Sequence, residues 1–130
     1  MKPLENIRII SLGQYMSAPY CTMLLADMGA EVIKVERPGK GDPRRGIAPY
    51  PDTEDENPMG GGFMAYNRNK KSIVIDLRSE EGKEIYRNLV EKSDVVVENM
   101  RPGATERLGI GYEDLKQINP AIIYSAISGF

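Results

Sequence analysis

Alternation is the feature that most constrains this chain. Five short runs rich in β-branched residues recur along it: Ile7–Ser11 (IRIIS), Glu31–Glu36 (EVIKVE), Ser72–Asp76 (SIVID), Asp94–Glu98 (DVVVE) and Ala121–Ile127 (AIIYSAI). Between them lie stretches with helix punctuation. Pro19–Met28 reads as a helix, with Pro19 in its first turn and Gly29 past its end. Ser79 is placed to cap a second helix whose first turn carries Glu80 and Glu81, where the helix dipole favours acids. Ile85, Leu89 and Val90 would form its apolar face, with Tyr86 beside them. A short helix over Tyr112–Ile118 stops before Asn119-Pro120. Strands separated by helices predict parallel βαβ units, and so an α/β fold: an open, doubly wound, mostly parallel sheet covered on both faces.

Composition narrows the function classes. Seventeen Lys and Arg against 19 Asp and Glu give a net charge of −2, which argues against nucleic acid or an anionic membrane as partner. A chain of 130 residues that is 41% hydrophobic and 28% charged suits one globular domain. No apolar run is long enough to span a bilayer, and the Met1-Lys2-Pro3-Leu4-Glu5 start is not a signal peptide. With the single Cys21, this predicts a reducing, cytoplasmic setting. The absence of His removes the commonest general base and metal ligand, so no metal is expected.

Residues 37–62 hold six Gly and five Pro, a long irregular loop of the kind that is functional or mobile. Open parallel sheets bind ligands beyond the carboxyl ends of their strands. Leu12–Ala18, Glu36–Gly39 and Asn99–Gly103 occupy those places. Gly13 followed by Glu36 has the spacing of a dinucleotide site, but the fingerprint needs glycine at 15 and 18, where Tyr15 and Ala18 stand. A nicotinamide site is disfavoured. Seven of the 17 cations (Arg37, Lys40, Arg44, Arg45, Arg68, Lys70 and Lys71) crowd between 37 and 71. Arg37, tied to a strand end, suits a phosphate ligand, whereas Lys40, Arg44 and Arg45 read as solvated loop residues. Cys21 and Met23-Leu24-Leu25 read as core filling. Gly60-Gly61-Gly62 reads as a hinge with no helix pattern close behind it.

Taken in order, five phrases resemble the family III CoA-transferases of the CaiB/BaiF type, which include formyl-CoA transferase, carnitine CoA-transferase and 2-methylacyl-CoA racemases. They are PLENIRIISL, SAPYCTMLLADMGAEVIKVERPGKGDPRR, YNRNKKSIVIDLRSEEGKE, SDVVVENMRPGATERLGIGYEDL and NPAIIYSAISGF, which run over almost the whole chain. The resemblance implies a Rossmann-like large domain of which residues 1–130 are the N-terminal part, in an interlocked homodimer. It also implies an enzyme that moves CoA between carboxylic acids. An Asp carboxylate attacks the acyl-CoA thioester to give a mixed anhydride, and CoA thiolate then reopens it.

In the family that Asp lies downstream of the SGF segment, as does the His–Asp pair of the racemases. No catalytic residue is therefore assigned within 1–130, and these residues alone are expected to be inactive. CoA and its thioesters are the expected ligands. By motif matching, Met16, Ser17 and Ala18 follow the first strand, Arg37 faces the nucleotide end, and Ile75 and Arg78 flank adenine. Asn99 and Met100 follow the fourth strand, with Arg107 just beyond. Formyl-CoA transferase carries Gln where Met16 stands, which argues against formyl or oxalyl specificity; Gln14 is expected to face elsewhere. The long Pro/Gly loop resembles transferases more than racemases. The other readings are a 2-methylacyl-CoA racemase and a non-catalytic CoA-binding module.

Overall fold

The computed structural model describes residues 1–129. Five strands form one sheet: β1 (Arg8–Ser11), β2 (Glu31–Glu36), β3 (Lys70–Val74), β4 (Val95–Glu98) and β5 (Ile123–Ala126). Their order is β3-β2-β1-β4-β5, and every pairing is parallel. The helices are α1 (Ser17–Asp27), α2 (Gly61–Asn67), α3 (Glu80–Glu91), α4 (Ala104–Leu108) and α5 (Tyr112–Ile118). The chain builds outward from β1 to β3, then returns through α3 to place β4 on the other side of β1. The expected α/β architecture is present. Its topological switch point lies between β1 and β4, where such sheets open a crevice.

Adjacent strand residues feed opposite faces, so each central strand is apolar on both sides. Ile9, Val32 and Val97 pack with Ala18, Ala26 and Ala30 under α1, whose small side chains let the helix lie close. Ile10, Val35 and Val96 pack on the other face with Tyr86 and Val90 of α3, Leu115 of α5, and Ile110. Ser79 caps α3 as expected, its hydroxyl accepting the Gly82 N–H at 3.0 Å.

The register of that helix differs from the expected one. Gly82, Tyr86 and Val90, at i, i+4 and i+8, face the sheet, and Ile85 is half exposed. Gly82 sits where the helix crosses its own entry loop, and a Cβ there would overlap the Asp76 carbonyl oxygen. Gly82→Ala, ordinarily stabilising inside a helix, is therefore expected to cost about 1–3 kcal/mol as overpacking. Chemical denaturation checks this; an unchanged or higher midpoint would show that the helix shifts freely.

Other expectations shift for identifiable reasons. α1 begins at Ser17, two residues before Pro19, and Leu24 is exposed while Met23 is buried. The third strand slides back to Lys70–Val74 to pair with β2. The triple glycine is not a hinge, for α2 starts inside it. The Gly60 and Gly61 N–H groups donate to the Arg45 and Pro49 carbonyls, both at 2.7 Å. A Cβ on Gly60 would overlap the Ile47 carbonyl oxygen, and one on Gly62 the Arg44 guanidinium. Close backbone approach, not flexibility, requires these glycines. At the far edge Ile122 is buried, but Ile123 is exposed.

Candidate functional site

The carboxyl ends of β1, β2 and β4, with the segment after β3, surround a cavity of about 760 Å3. Five of the residues picked out in the sequence line it: Arg37, Ile75, Arg78, Met100 and Arg107. Ile75 is a fixed wall, 4% exposed, with its N–H on the Glu36 carbonyl at 2.9 Å. Arg37 is steered by a 3.1 Å bond from Nε to the Gly41 carbonyl, which leaves its terminal nitrogens free to donate. Among the described residues, no hydrogen bond or ion pair engages the guanidinium of Arg78 or Arg107. Lys40 joins them in the lining, contrary to its reading as a bystander of the loop. Three arginines and a lysine converge on one opening, the chemistry of a multiply charged anion site.

A second cavity of about 480 Å3 shares Met100 and is lined by Ser17 and Asn99. Asn99 is the clamp of the switch point. Its Oδ1 accepts the Gln14 N–H at 2.8 Å, and its Nδ2 donates to the Gln14 carbonyl at 2.9 Å and Ser17 Oγ at 3.0 Å. One side chain, from the residue just after β4, thus fixes the turn that follows β1. Two expected residues reach neither cavity: Met16 is exposed at the start of α1, and the Ala18 side chain is buried in the core. Gln14, expected to face elsewhere, lines the larger cavity. No sequence signal marked it, because its placement depends on Asn99, 85 residues away.

Behind the turn lies a buried polar layer. Lys34, 1% exposed, donates from Nζ to Asp42 Oδ2 at 2.8 Å and to the Gly13 carbonyl at 2.7 Å. Asp42 Oδ1 accepts the N–H groups of Tyr15 at 3.2 Å and Arg44 at 2.9 Å. Glu36 Oε1 accepts from Arg45 Nη2 and Ser72 Oγ, both at 2.7 Å. Its Oε2 accepts from Arg45 Nε at 2.8 Å and the Asp42 N–H at 2.9 Å. Burial works to raise the Glu36 pKa, but Arg45, Ser72 and the Asp42 amide together bring it down to about 2. Arg45 also stacks over the Phe63 ring of α2, 3.8 Å from its centroid. Arg45 is therefore structural rather than solvated. The same four bonds occupy the carboxylate that a ribose would need, which closes the dinucleotide reading.

Two other titratable groups are displaced. Burial drives the Glu98 carboxyl upward, the Met100 N–H at 2.6 Å opposes this, and Glu106 adds repulsion; the outcome is upward. Burial brings the Lys70 ammonium down to about 7, with Lys34 adding to the effect. Lys70 is tied to the α1–α2 seam through the Pro19 carbonyl and Asn67 Oδ1, not to either cavity. Among the described residues, no group of three metal-ligating side chains occurs, and no helix is long and apolar enough to cross a membrane.

The family model for CoA-transferase family III matches residues 4–130. The chain belongs to CoA-transferase family III. The chain is 49% identical over 130 residues to a succinyl-CoA:mesaconate CoA-transferase of Haloarcula hispanica, covering all of this chain and 33% of that protein. It is 44% identical to the human succinyl-CoA:glutarate CoA-transferase, covering 29% of that protein. The crystal structure of a CaiB/BaiF family protein from Brucella suis superposes with a TM-score of 0.91 at 43% identity, over 99% of this chain and 34% of that one. The chain thus spans about a third of the length of the curated relatives it matches. Family III membership accounts for the phrases running from PLENIRIISL to NPAIIYSAISGF, and the shared fold includes the switch point where both cavities open.

Proposed function

We propose that this segment holds the CoA thioester in an enzyme that transfers CoA between carboxylic acids, with succinyl-CoA as the donor. The observation that carries the reading is the convergence of Arg37, Arg78 and Arg107 with Ile75 and Met100 on one cavity beyond the strands. A CoA nucleotide offers three phosphates and an adenine. The arginines suit the phosphates, and Ile75 gives the ring an apolar wall. The pantetheine arm leaves past Met100 toward the smaller cavity, where Ser17 and Asn99 meet the thioester end. Relatives named as succinyl-CoA-dependent transferases support the donor and favour transfer over racemisation.

The covalent step belongs to an Asp carboxylate outside these residues. Its oxygen attacks the thioester carbonyl, the C–S bond breaks, and CoA departs as thiolate with an acyl anhydride left on the enzyme. The second acid then displaces the first, and the thiolate attacks the new anhydride to release the product thioester. This chain contributes binding and orientation, while the reaction belongs to the whole protein, an interlocked homodimer working in the cytoplasm.

Arg37 provides the test. A charge-assisted hydrogen bond is worth about 1.5–3 kcal/mol, so Arg37→Ala is expected to weaken CoA about tenfold or more. Dephospho-CoA should lose less if the 3′-phosphate is the partner. Titration calorimetry with both ligands gives the answer, and equal CoA affinity in mutant and wild type removes Arg37 from the site. Transfer of labelled CoA from succinyl-CoA to a second dicarboxylic acid tests the activity itself.

A further inference from the structure

We propose that the buried Lys34–Asp42 pair is a positioning device for the transfer step: it holds the strained turn 13–15 in the shape that presents Ser17 to the thioester. The inference rests on the CoA-transfer reading above. Tyr15 has φ 64°, a left-handed conformation that costs a non-glycine residue energy and persists only where the surroundings impose it. Those surroundings are specific. Asn99 holds both backbone groups of Gln14, Lys34 holds the Gly13 carbonyl, and Asp42 holds the Tyr15 N–H.

Three consecutive residues are thus pinned by side chains from the end of β4 (Asn99, just past it), from β2 and from the loop after β2. Asn99 belongs to the site itself, since it lines the smaller cavity and bonds Ser17. Lys34 and Asp42 line neither cavity, and both are almost wholly buried. Their direct route to Ser17 is through the turn, while Asp42 also accepts the Arg44 N–H of the loop after β2. A fully buried ion pair is also a poor choice for stability alone, since an apolar pair of similar volume often does as well. What an apolar pair cannot do is accept the Tyr15 N–H or donate to the Gly13 carbonyl.

That difference supplies the experiment, made on the whole enzyme that carries this segment. Lys34→Met/Asp42→Leu leaves no buried charge unpaired and is expected to fold, with a melting temperature lowered only by the lost bonds to the Gly13 carbonyl and the Tyr15 and Arg44 N–H groups. Its kcat for CoA transfer is expected to fall tenfold or more. Its KM for the CoA thioester should change less than about twofold, because the Glu36–Arg45 pair and the Asp42 amide bond to Glu36 still hold the Arg37 loop. Hydrogen exchange at the Tyr15 amide should quicken.

Lys34→Met/Asp42→Asn keeps an oxygen for the Tyr15 N–H and is expected to recover most of the lost kcat, with that amide protected again. Wild-type kcat in the Leu variant, or a freely exchanging Tyr15 amide alongside full kcat in either variant, overturns the proposal. Should the Leu variant not fold, the Asn variant decides, since a protected amide with kcat lost also overturns it. Wild-type enzyme that transfers no CoA refutes the reading of function, while the exchange arm still reports on the pinning.

Discussion

Replacing Glu36 by Gln is expected to lower the unfolding free energy by about 3–5 kcal/mol, the usual effect of removing one partner from a buried ion pair. The side chain of Glu36 is 3% exposed and that of Arg45 31%. The amide would set its own N–H groups against donors that now find two carboxylate oxygens. The same residue governs the acid limb of stability. Its folded pKa, about 2, lies below the ordinary value of 4.5. The folded state therefore binds this proton less readily than the unfolded chain. The stabilisation is complete above about pH 4.5 and disappears as pH falls toward 2, a loss on the order of 3 kcal/mol. Asp27 and Glu31, also held below their usual range by Arg and Lys partners, contribute to the wild-type profile and equally to that of the variant. Subtracting the two urea-unfolding profiles between pH 7 and 3 isolates Glu36. Parallel curves would mean that the carboxylate is not held as described.

The sequence singles out Glu36 only by its spacing from Gly13, as a candidate ribose acid, and not as half of a buried ion pair. EVIKVE announces a strand, and it is one, but nothing in it marks Lys34 and Glu36 as buried. Their partners Asp42 and Arg45 sit in the Pro/Gly-rich loop, and only the folded loop brings them over the strand. Local signals did identify what is decided locally. Ser79 before Glu80-Glu81 marks the start of α3, and the β-branched runs locate β1, β2 and β4. α2 gives no such signal, because GGFMAYN has poor helix formers and no side-chain cap, and tertiary contacts hold it. α4 is five residues enclosed by Gly103 and Gly109, both at positive φ, too short to show a period. The cavity was legible where a residue lies within two positions of a strand end, as with Arg37 and Met100. It was not where a distant side chain sets the geometry, as Asn99 does for Gln14.

Tyr86 shows the same division between packing and polar chemistry within one side chain. It is fully buried at the centre of the larger core cluster, against Ile10, Val90 and Val96. Tyr86→Ala removes the ring from a site with little room to collapse, and a loss of about 3–5 kcal/mol is expected, as for other large aromatics. The hydroxyl is a different matter. It has no hydrogen-bond partner among the described residues, and burial pushes the phenol far above its ordinary pKa. An unpaired buried hydroxyl carries a desolvation penalty of about 1–3 kcal/mol, so Tyr86→Phe, which keeps the ring, is expected to be neutral or stabilising. Denaturant melts of both variants against wild type make the comparison. A loss above about 1 kcal/mol in Tyr86→Phe would mean that the hydroxyl is satisfied after all, by a buried water bridging it to a neighbour.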